Sequence, residues 1–540
     1  MRRLAAIVIL LGTCATAGFG RKFHDDDPLI REPEPRPVTV TPRKISDYYD
    51  FFWHTLATPG EKQRVAKPIP AQGVNTLGDP LDGAWWERRH YWRRLSLAEL
   101  QSAPEKDAAP AMDGDWIVVS AKTEGITPGF VILDRNKKRY FVKFDPTSNP
   151  EMATGADKIG STIFHVLGYH VPANHIVSFH PEMLKLGAGV TVEDRFGRKR
   201  KMTPEDLAAI LSRVRRESNG RYRATASLAV PGKPIGPYRY FGTRADDPND
   251  IVPHEHRRDL RGMHLAAAFV DHDDSRAINT FDALVEGPSG AFVKHYQLDF
   301  GSSLGSGTQK PNSPRSGGEY LFGWKEAARQ FFTFGLAVPR WAHASFPQVD
   351  SVGRFESTVF DPDTWVPEYP NPAFLNRLPD DEFWIAKQIV NLRDEEIRAI
   401  VETARYSDPK AADWVAKCLI ERRDKIGRAA FRKVLPIDRF ELRDGRLEWV
   451  DLAAVYGLGT ALEIRVRWSE FDNERQSAAP LQGEQSAQLP EMRADGYWMA
   501  TLDSPARPDQ TVQVYVRKRG ERTQIIGVER TWKGCAGSAS

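Results

Sequence analysis

Three short apolar-rich runs, 116–120, 129–134 and 139–144, read as strands separated by the turn residues Gly125, Pro128 and Asn136. In the third run Tyr140, Val142 and Phe144 fall on one face and Phe141 and Lys143 on the other, because successive side chains of a strand point to opposite sides. The period then lengthens. Ile159, Ile163, Phe164, Val166 and Leu167 form one helical face, with Asn149 placed to cap, Pro150 at the first helical position and Gly168 at the stop. A helix over about 256–270 follows from Leu260, Met263, Ala267 and Phe269. Two strands, 280–285 and 291–298, flank the turn cluster Glu286-Gly287-Pro288-Ser289-Gly290. Helical periodicity returns over 380–406 and 413–431, and strand-like runs at 462–468, 497–502, 511–517 and 524–529 close the chain.

This succession predicts an α+β fold with two lobes and an all-β appendage at the C-terminus. The expected divisions are a leader at 1–20, an extended linker and aromatic-rich extension at 21–110, a main domain at 111–435 and a β-sandwich-like region at 436–540. Within the main domain, an N-lobe at about 111–180 and a C-lobe at about 251–435 flank an insertion at about 181–250. The insertion carries a basic run, 195–201, and the helical pattern 204–214. Aromatic segments at 48–53 and 85–92 are expected to pack peripherally against a domain and to supply buried area, with core packing favoured over a cluster that binds sugars or a lipid surface.

Chemistry concentrates at 271–301. His272-Asp273-Asp274, with Asn279 five residues after Asp274, has the spacing of a kinase catalytic loop, and Asp299-Phe300-Gly301 has the form of a metal-binding D-F-G. Phosphoryl transfer asks little covalent work of a protein. It needs a divalent cation held against the phosphates and an acceptor hydroxyl placed in line with the γ-phosphorus. Asp274 would face the hydroxyl, and Asn279 and Asp299 would hold Mg²⁺. The hairpin between them makes two sequence-distant ligands neighbours. Lys143, a cation inside an apolar strand, must find a polar partner, and it is the candidate for contacting the α- and β-phosphates of ATP. The connection 123–129, containing Gly125, is placed to pass over those phosphates through its backbone N–H groups.

Taken in order, Tyr-Phe-Val-Lys143-Phe, a helix containing Asp157, Leu167-Gly168-Tyr-His-Val-Pro172, Asp274-x-x-x-x-Asn279 and Asp299-Phe300-Gly301 resemble the atypical protein-kinase-like superfamily, within it the HipA-like, CotH-like and secretory-pathway kinase group. The resemblance spans roughly residues 115–430. It implies a two-lobed ATP-binding fold in which Lys143 and Asp157 anchor phosphates, Asp274 is the base, and Asn279 and Asp299 hold metal. The helix acid is aspartate rather than the customary glutamate, and Glu151 in the first turn is an alternative. The glycine loop is nonstandard and no A-P-E follows Asp299, departures that speak against regulation through an activation loop and against a protein substrate. The function expected is an exported Mg²⁺-dependent atypical kinase acting on a hydroxyl of a protein, peptide or small molecule. A noncatalytic extracytoplasmic pseudokinase is the alternative, and phosphoryl and AMP transfer both stay open.

The remaining features narrow the setting. Arg2 and Arg3, the apolar run 4–12 and Ala15-Thr16-Ala17 have the form of a secretory signal, which places the mature chain in the periplasm or outside the cell. A lipoprotein signal at 11–14 fits less well, with threonine before Cys14. No later stretch approaches bilayer-spanning length. Formal net charge is +3, or +1 without Arg2 and Arg3, so nucleic acid is not an implied partner. Of Cys14, Cys418 and Cys535, the last two have no spacing that marks a zinc site, although an oxidising compartment would permit a bridge between them. His254 and His256 flank Glu255 but make a poor metal signature. Residues 303–318, rich in Gly, Ser and Pro, read as a flexible loop after D-F-G, positioned to cover substrate or nucleotide.

Overall fold

Strand alternation builds the first layer. The computed structural model describes residues 20–64, 67–105, 109–122, 129–193, 199–307, 309–482, 486–492 and 494–533. After two short helices, α1 (Asp47–Leu56) and α2 (Leu97–Ser102), come β1 (Trp116–Lys122), β2 (Gly129–Leu133) and β3 (Arg139–Lys143), hydrogen-bonded antiparallel in sequence order. Tyr140 and Val142 are buried while Phe141 is exposed, so β3 presents its two faces as the alternation predicts. Gly125 and the rest of 123–128 lie outside the described residues, and Gly129, the last residue of the phosphate-loop candidate, opens β2.

Next in the chain are α3 (Met152–Val166), β4 (Asn174–Phe179), β5 (Leu184–Leu186), the minor pair β6 (Thr191–Glu193) and β7 (Lys199–Lys201), α4 (Pro204–Leu211), β8 (Tyr222–Leu228) and β9 (Lys233–Gly236). The sheet order is β4-β8-β3-β2-β1-β5, which corrects the expected insertion at 181–250. Its segment Tyr222–Leu228 is an interior strand between β3 and β4, and Leu184–Leu186 extends the far edge along β1. Ile210 and Leu211 at the end of α4, and Val214 just after it, share one core with Tyr140 and Val142. The stretch read as an insertion therefore completes the N-lobe core.

The second layer is mostly helical. It contains α5 (Arg258–Val270), the hairpin β10 (Thr280–Gly287) and β11 (Gly290–Gln297), α6 (Trp324–Phe332), α7 (Pro372–Leu375), α8 (Pro379–Val390), α9 (Asp394–Glu402) and α10 (Pro409–Phe431). β9 adds to the free edge of β10, so the chain passes from the N-lobe strand β8 to the C-lobe sheet within a few residues. All thirteen residues of α5 are buried, because α8, α10 and α7 pack around it. This helix is the support from which the acidic loop projects.

The final region comprises a hairpin of β12 (Ile437–Arg443) and β13 (Arg446–Asp451), then α11 (Leu452–Val455). An antiparallel sheet of β14 (Arg465–Asp472), β15 (Ser477–Pro480), β16 (Gly496–Ser504), β17 (Arg507–Arg519) and β18 (Arg522–Thr531) follows, in order β15-β14-β16-β17-β18. Val512, Val514 and Val516 meet Leu447 and Ile437 of the hairpin on one face. Tyr515, Met499 and Phe471 cluster on the other face around Phe23.

That last contact corrects the expectation of a linker. The Phe23 N–H donates to Asn473 Oδ1 at 2.8 Å, Val38 N–H to Ala291 O at 2.9 Å and Arg43 N–H to Ile235 O at 3.0 Å. Proline-rich sequence keeps this segment extended, and single apolar anchors fasten it across the C-terminal sheet and the β9–β11 sheet. Of the two aromatic segments, 85–92 supplies buried area, since Trp85 and Trp86 join the main helical core, while Tyr48 and Tyr49 of 48–53 stay exposed. Cys418 is a buried free thiol, and Cys535 lies outside the described residues. His254 pairs with Asp250 at 2.8 Å, and among the described residues no group of three potential ligands is arranged for a metal ion.

Candidate functional site

The acidic loop begins where α5 ends. Asp271 takes the left-handed conformation (φ 54°) as the helix cap, and its Oδ1 accepts from Trp365 Nε1 at 2.8 Å. Asp273 is buried and accepts from Ser316 Oγ at 2.5 Å and Asn312 Nδ2 at 3.3 Å. These two aspartates are structural clamps. Asp273 tethers the stretch expected as a flexible loop, while Asp271 holds Trp365; within that stretch Ser303 and Ser306 are fully buried, and Asn312 N–H donates to Gly305 O at 2.9 Å.

Asp274 faces the cleft between the lobes. It forms an ion pair with Arg276, and Ser302 Oγ donates to its Oδ2 at 3.4 Å. Asn279 Nδ2 donates to the backbone oxygen of Asp274 at 2.8 Å, an orientation that keeps the amide oxygen available as an acceptor. The hairpin runs in register from Thr280↔Gln297 to Gly287↔Gly290, and Leu298 N–H donates to Asn279 O at 2.8 Å. Asp299 thus arrives beside Asn279, itself in a left-handed conformation (φ 56°).

From the N-lobe, Lys143 Nζ donates to Asp299 Oδ1 at 2.8 Å. Asp157, the acid expected beside the lysine, instead accepts the Phe300 N–H at 3.1 Å through Oδ1, while its buried Oδ2 has no hydrogen-bond partner. Glu151, the alternative, is the N-cap residue of α3 rather than a first-turn acid, with φ 69°, and its carboxylate accepts from Ser407 N–H at 2.8 Å. Asn149 and Pro150 accordingly lie before the helix rather than at its cap and first turn. Asp145 does the capping work, accepting from Thr154 N–H and Oγ1, both at 2.8 Å. Gly160 lets α3 approach the Asp299-Phe300-Gly301 turn, because a Cβ there would lie 2.9 Å from the Phe300 Cβ.

Lys143, Asp157, Asp274, Asn279 and Asp299 line one cleft of about 290 Å³ together with Gly129, Thr154, Thr225 and Ser302. Its electrostatics follow from crowding three carboxylates around one ammonium. Burial works against the Lys143 charge, but Asp299 and Asp157 outweigh it and hold the ammonium above its ordinary range. Burial lifts Asp157 to about 6 against the pull of Lys143, with Asp299 adding to the rise. Burial also raises Asp274, opposed by Arg276.

Glu368 is the participant that sequence reasoning missed. Its carboxylate lies 3.4 Å from Arg276 Nε and is lifted to about 7 by burial and by Asp274. It sits in irregular chain far downstream, with no motif to mark it.

His272 supports the loop from beneath. It is 2% exposed, its ring centroid lies 5.2 Å from that of Phe300, and burial lowers its pKa to about 4. A histidine whose folded pKa lies below its unfolded value near 6.5 contributes stability that is present above pH 6.5 and is lost as pH falls toward 4. His272→Phe is therefore expected to flatten the decline of melting temperature between pH 6.5 and 4. A slope unchanged from wild type would show that this ring is not one of the groups responsible.

No family model matches the chain, and no curated protein matches it. Among solved structures, the Helicobacter pylori proinflammatory kinase CtkA aligns with TM-score 0.30 and 11% identity, covering 56% of this chain and 94% of that one. The Golgi casein kinase with Mn/ADP bound aligns with TM-score 0.31 and 11% identity, covering 62% of this chain and 73% of that one. A second structure of the Golgi casein kinase gives 0.28 and 11%, over 62% and 75%. Likenesses this distant assign no family.

Proposed function

We propose that this protein is an exported atypical kinase that binds ATP with Mg²⁺ in the interlobe cleft and transfers the γ-phosphoryl group to a hydroxyl acceptor. One observation carries the reading: β3, α3, the loop after α5 and the end of β11 deliver Lys143, Asp157, Asp274, Asn279 and Asp299 to a single cleft. Hard oxygen donors beside a cleft suit Mg²⁺, and the donor set here, the Asp299 carboxylate and the Asn279 amide oxygen, has that chemistry. A bound Mg²⁺ would neutralise phosphate charge as it develops.

The chain's own groups account for the rest. Lys143 donates to phosphate oxygens, and Asp157, its carboxylate fixed by the Phe300 N–H, supplies the countercharge. Asp274 takes the proton of the acceptor hydroxyl as that oxygen forms its bond to the γ-phosphorus. The bond to the β-phosphate oxygen breaks, and ADP leaves. Arg276 is anchored by Asp47 at 3.0 Å and holds the Asp274 carboxylate toward the cleft.

A specific contact favours a second reading, a noncatalytic binding protein. The Lys143 ammonium occupies Asp299 directly, so it competes with a cation for the same carboxylate. For catalysis this pair must exchange partners when nucleotide enters.

Titration of residues 21–540 with ATP, with and without Mg²⁺, tests the proposal. Mg²⁺-dependent binding is expected in the wild type, weakened at least about tenfold in Lys143→Ala and Asp299→Ala, the loss of one charge-assisted contact. A folded wild type that binds no nucleotide overturns it. Binding without turnover supports the second reading. Label from the γ- or the α-phosphate in the product separates phosphoryl from AMP transfer.

A further inference from the structure

An apolar surface near the cleft is left uncovered by packing. Helix α6 buries none of its nine residues, and its sequence places Trp324, Ala327, Ala328 and Phe331 on one face. The chain continues through Phe332 and then turns back at Phe334 (φ 49°) and Gly335 (φ 79°). The exposures are 69% for Trp324, 76% for Phe331, 77% for Phe332, 93% for Phe334 and 84% for Leu336. Monomeric soluble proteins rarely display contiguous apolar side chains on this scale without a use for them.

The exposure is built in. Gly335 N–H donates to Gln330 O at 3.0 Å, Leu336 N–H to Thr333 O at 2.9 Å, and Gln330 Nε2 to Ala337 O at 3.1 Å. The tip satisfies its own backbone and points its side chains outward. Backbone groups paired within the segment are the condition for entering an apolar medium, where no water can replace a missing partner. Phe331, Phe332, Phe334 and Leu336 stand outside the cavity of about 390 Å³ that Glu326 and Arg329 of α6 line together with Arg340 and Trp341. Its charge has the sign that suits anionic headgroups: residues 321–338 contain Lys325 and Arg329 against Glu326 alone, Arg340 beyond them being paired with Asp361 at 2.5 Å. Aromatic side chains beside basic ones are the composition of helices that lie at a bilayer interface.

We propose that residues 321–338 seat this protein on an anionic lipid surface, with Phe331, Phe332, Phe334 and Leu336 entering the headgroup–acyl boundary. The placement gives this contact a direction. Leu321 N–H donates to Glu368 O at 2.7 Å, and the Glu368 carboxylate lies beside Arg276, so the tip is rooted next to the Asp274 loop. The exposed Tyr48 and Tyr49 of α1 follow Asp47, which also contacts Arg276. The lipid contact is thereby rooted beside the Asp274 loop, whatever chemistry occurs there.

Co-sedimentation of residues 21–540 with vesicles of phosphatidylcholine alone, or with one third phosphatidylglycerol, tests this without reference to ATP. At least about tenfold stronger binding to the anionic vesicles is expected, lost in the Phe334→Glu/Leu336→Glu double variant with melting temperature unchanged. Lys325→Glu/Arg329→Glu should remove the preference for anionic lipid. Wild type that stays in solution with both vesicles overturns the proposal, as does a double variant that sediments like wild type. A wild-type dimer that binds no vesicle and that the double variant turns into a monomer also overturns it, assigning the surface to a second copy of the chain.

Discussion

Asp274→Asn is expected to lower turnover by about 10²- to 10⁴-fold, the range in which a positioned general base acts, while leaving ATP affinity nearly unchanged. The separation follows from where Asp274 sits. Its contacts are Arg276, Ser302, Glu368 and its own backbone link to Asn279, and none of these is the Lys143–Asp299 pair assigned to the phosphates and metal. Asparagine keeps the shape and the Ser302 hydrogen bond but cannot take a proton. The pH profile adds a second readout. Because burial raises the Asp274 pKa above the ordinary carboxylate range, activity should fall as pH drops through that raised value, and the acid limb should vanish in the residual activity of Asp274→Asn. Wild-type turnover in Asp274→Asn, with purified acceptor and protein, would sink the assignment of the base.

Much of this site could be read from the chain because its parts are local. The alternation through Tyr140, Val142 and Lys143 is a property of five residues, and the hairpin between Asn279 and Asp299 is closed by its own turn. What escaped was long-range. β8 reads Tyr-Arg-Ala-Thr-Ala-Ser-Leu, and five of its seven residues are buried. Small residues buried on both faces leave no alternation to detect, and the strand's place depends on β3 and β4, which are distant in sequence. Proline-rich composition signals the absence of regular structure at 21–43. It says nothing about the surfaces that await Phe23, Val38 and Val40. Which acid meets Lys143 is likewise a tertiary matter: α3 is held so that Asp157 addresses the Phe300 N–H, and the ammonium turns to Asp299.

The aromatic extension supplies the largest expected stability effect. Trp86→Ala should destabilise the protein by about 3–5 kcal/mol, the cost of deleting a large aromatic side chain from a packed core. Trp86 is fully buried, with ring centroids of Trp92 at 5.1 Å and Trp384 of α8 at 5.4 Å, and its Nε1 donates to Leu167 O at 2.7 Å. One side chain thus joins the N-terminal extension, the end of α3 and the C-lobe. Gly168 is matched to it. With φ 101° it takes the left-handed turn that stops α3, and a Cβ there would sit 2.1 Å from Trp86 Nε1, so Gly168→Ala carries both backbone strain and a collision. Tyr49→Ala is the control. At 79% exposure on α1 it should change stability by less than about 0.5 kcal/mol. Were the extension only laid against a finished domain, Trp86→Ala and Tyr49→Ala would shift the urea midpoint alike. A large shift for the first alone would place Trp86 within the core on which α3, and with it Asp157, depends.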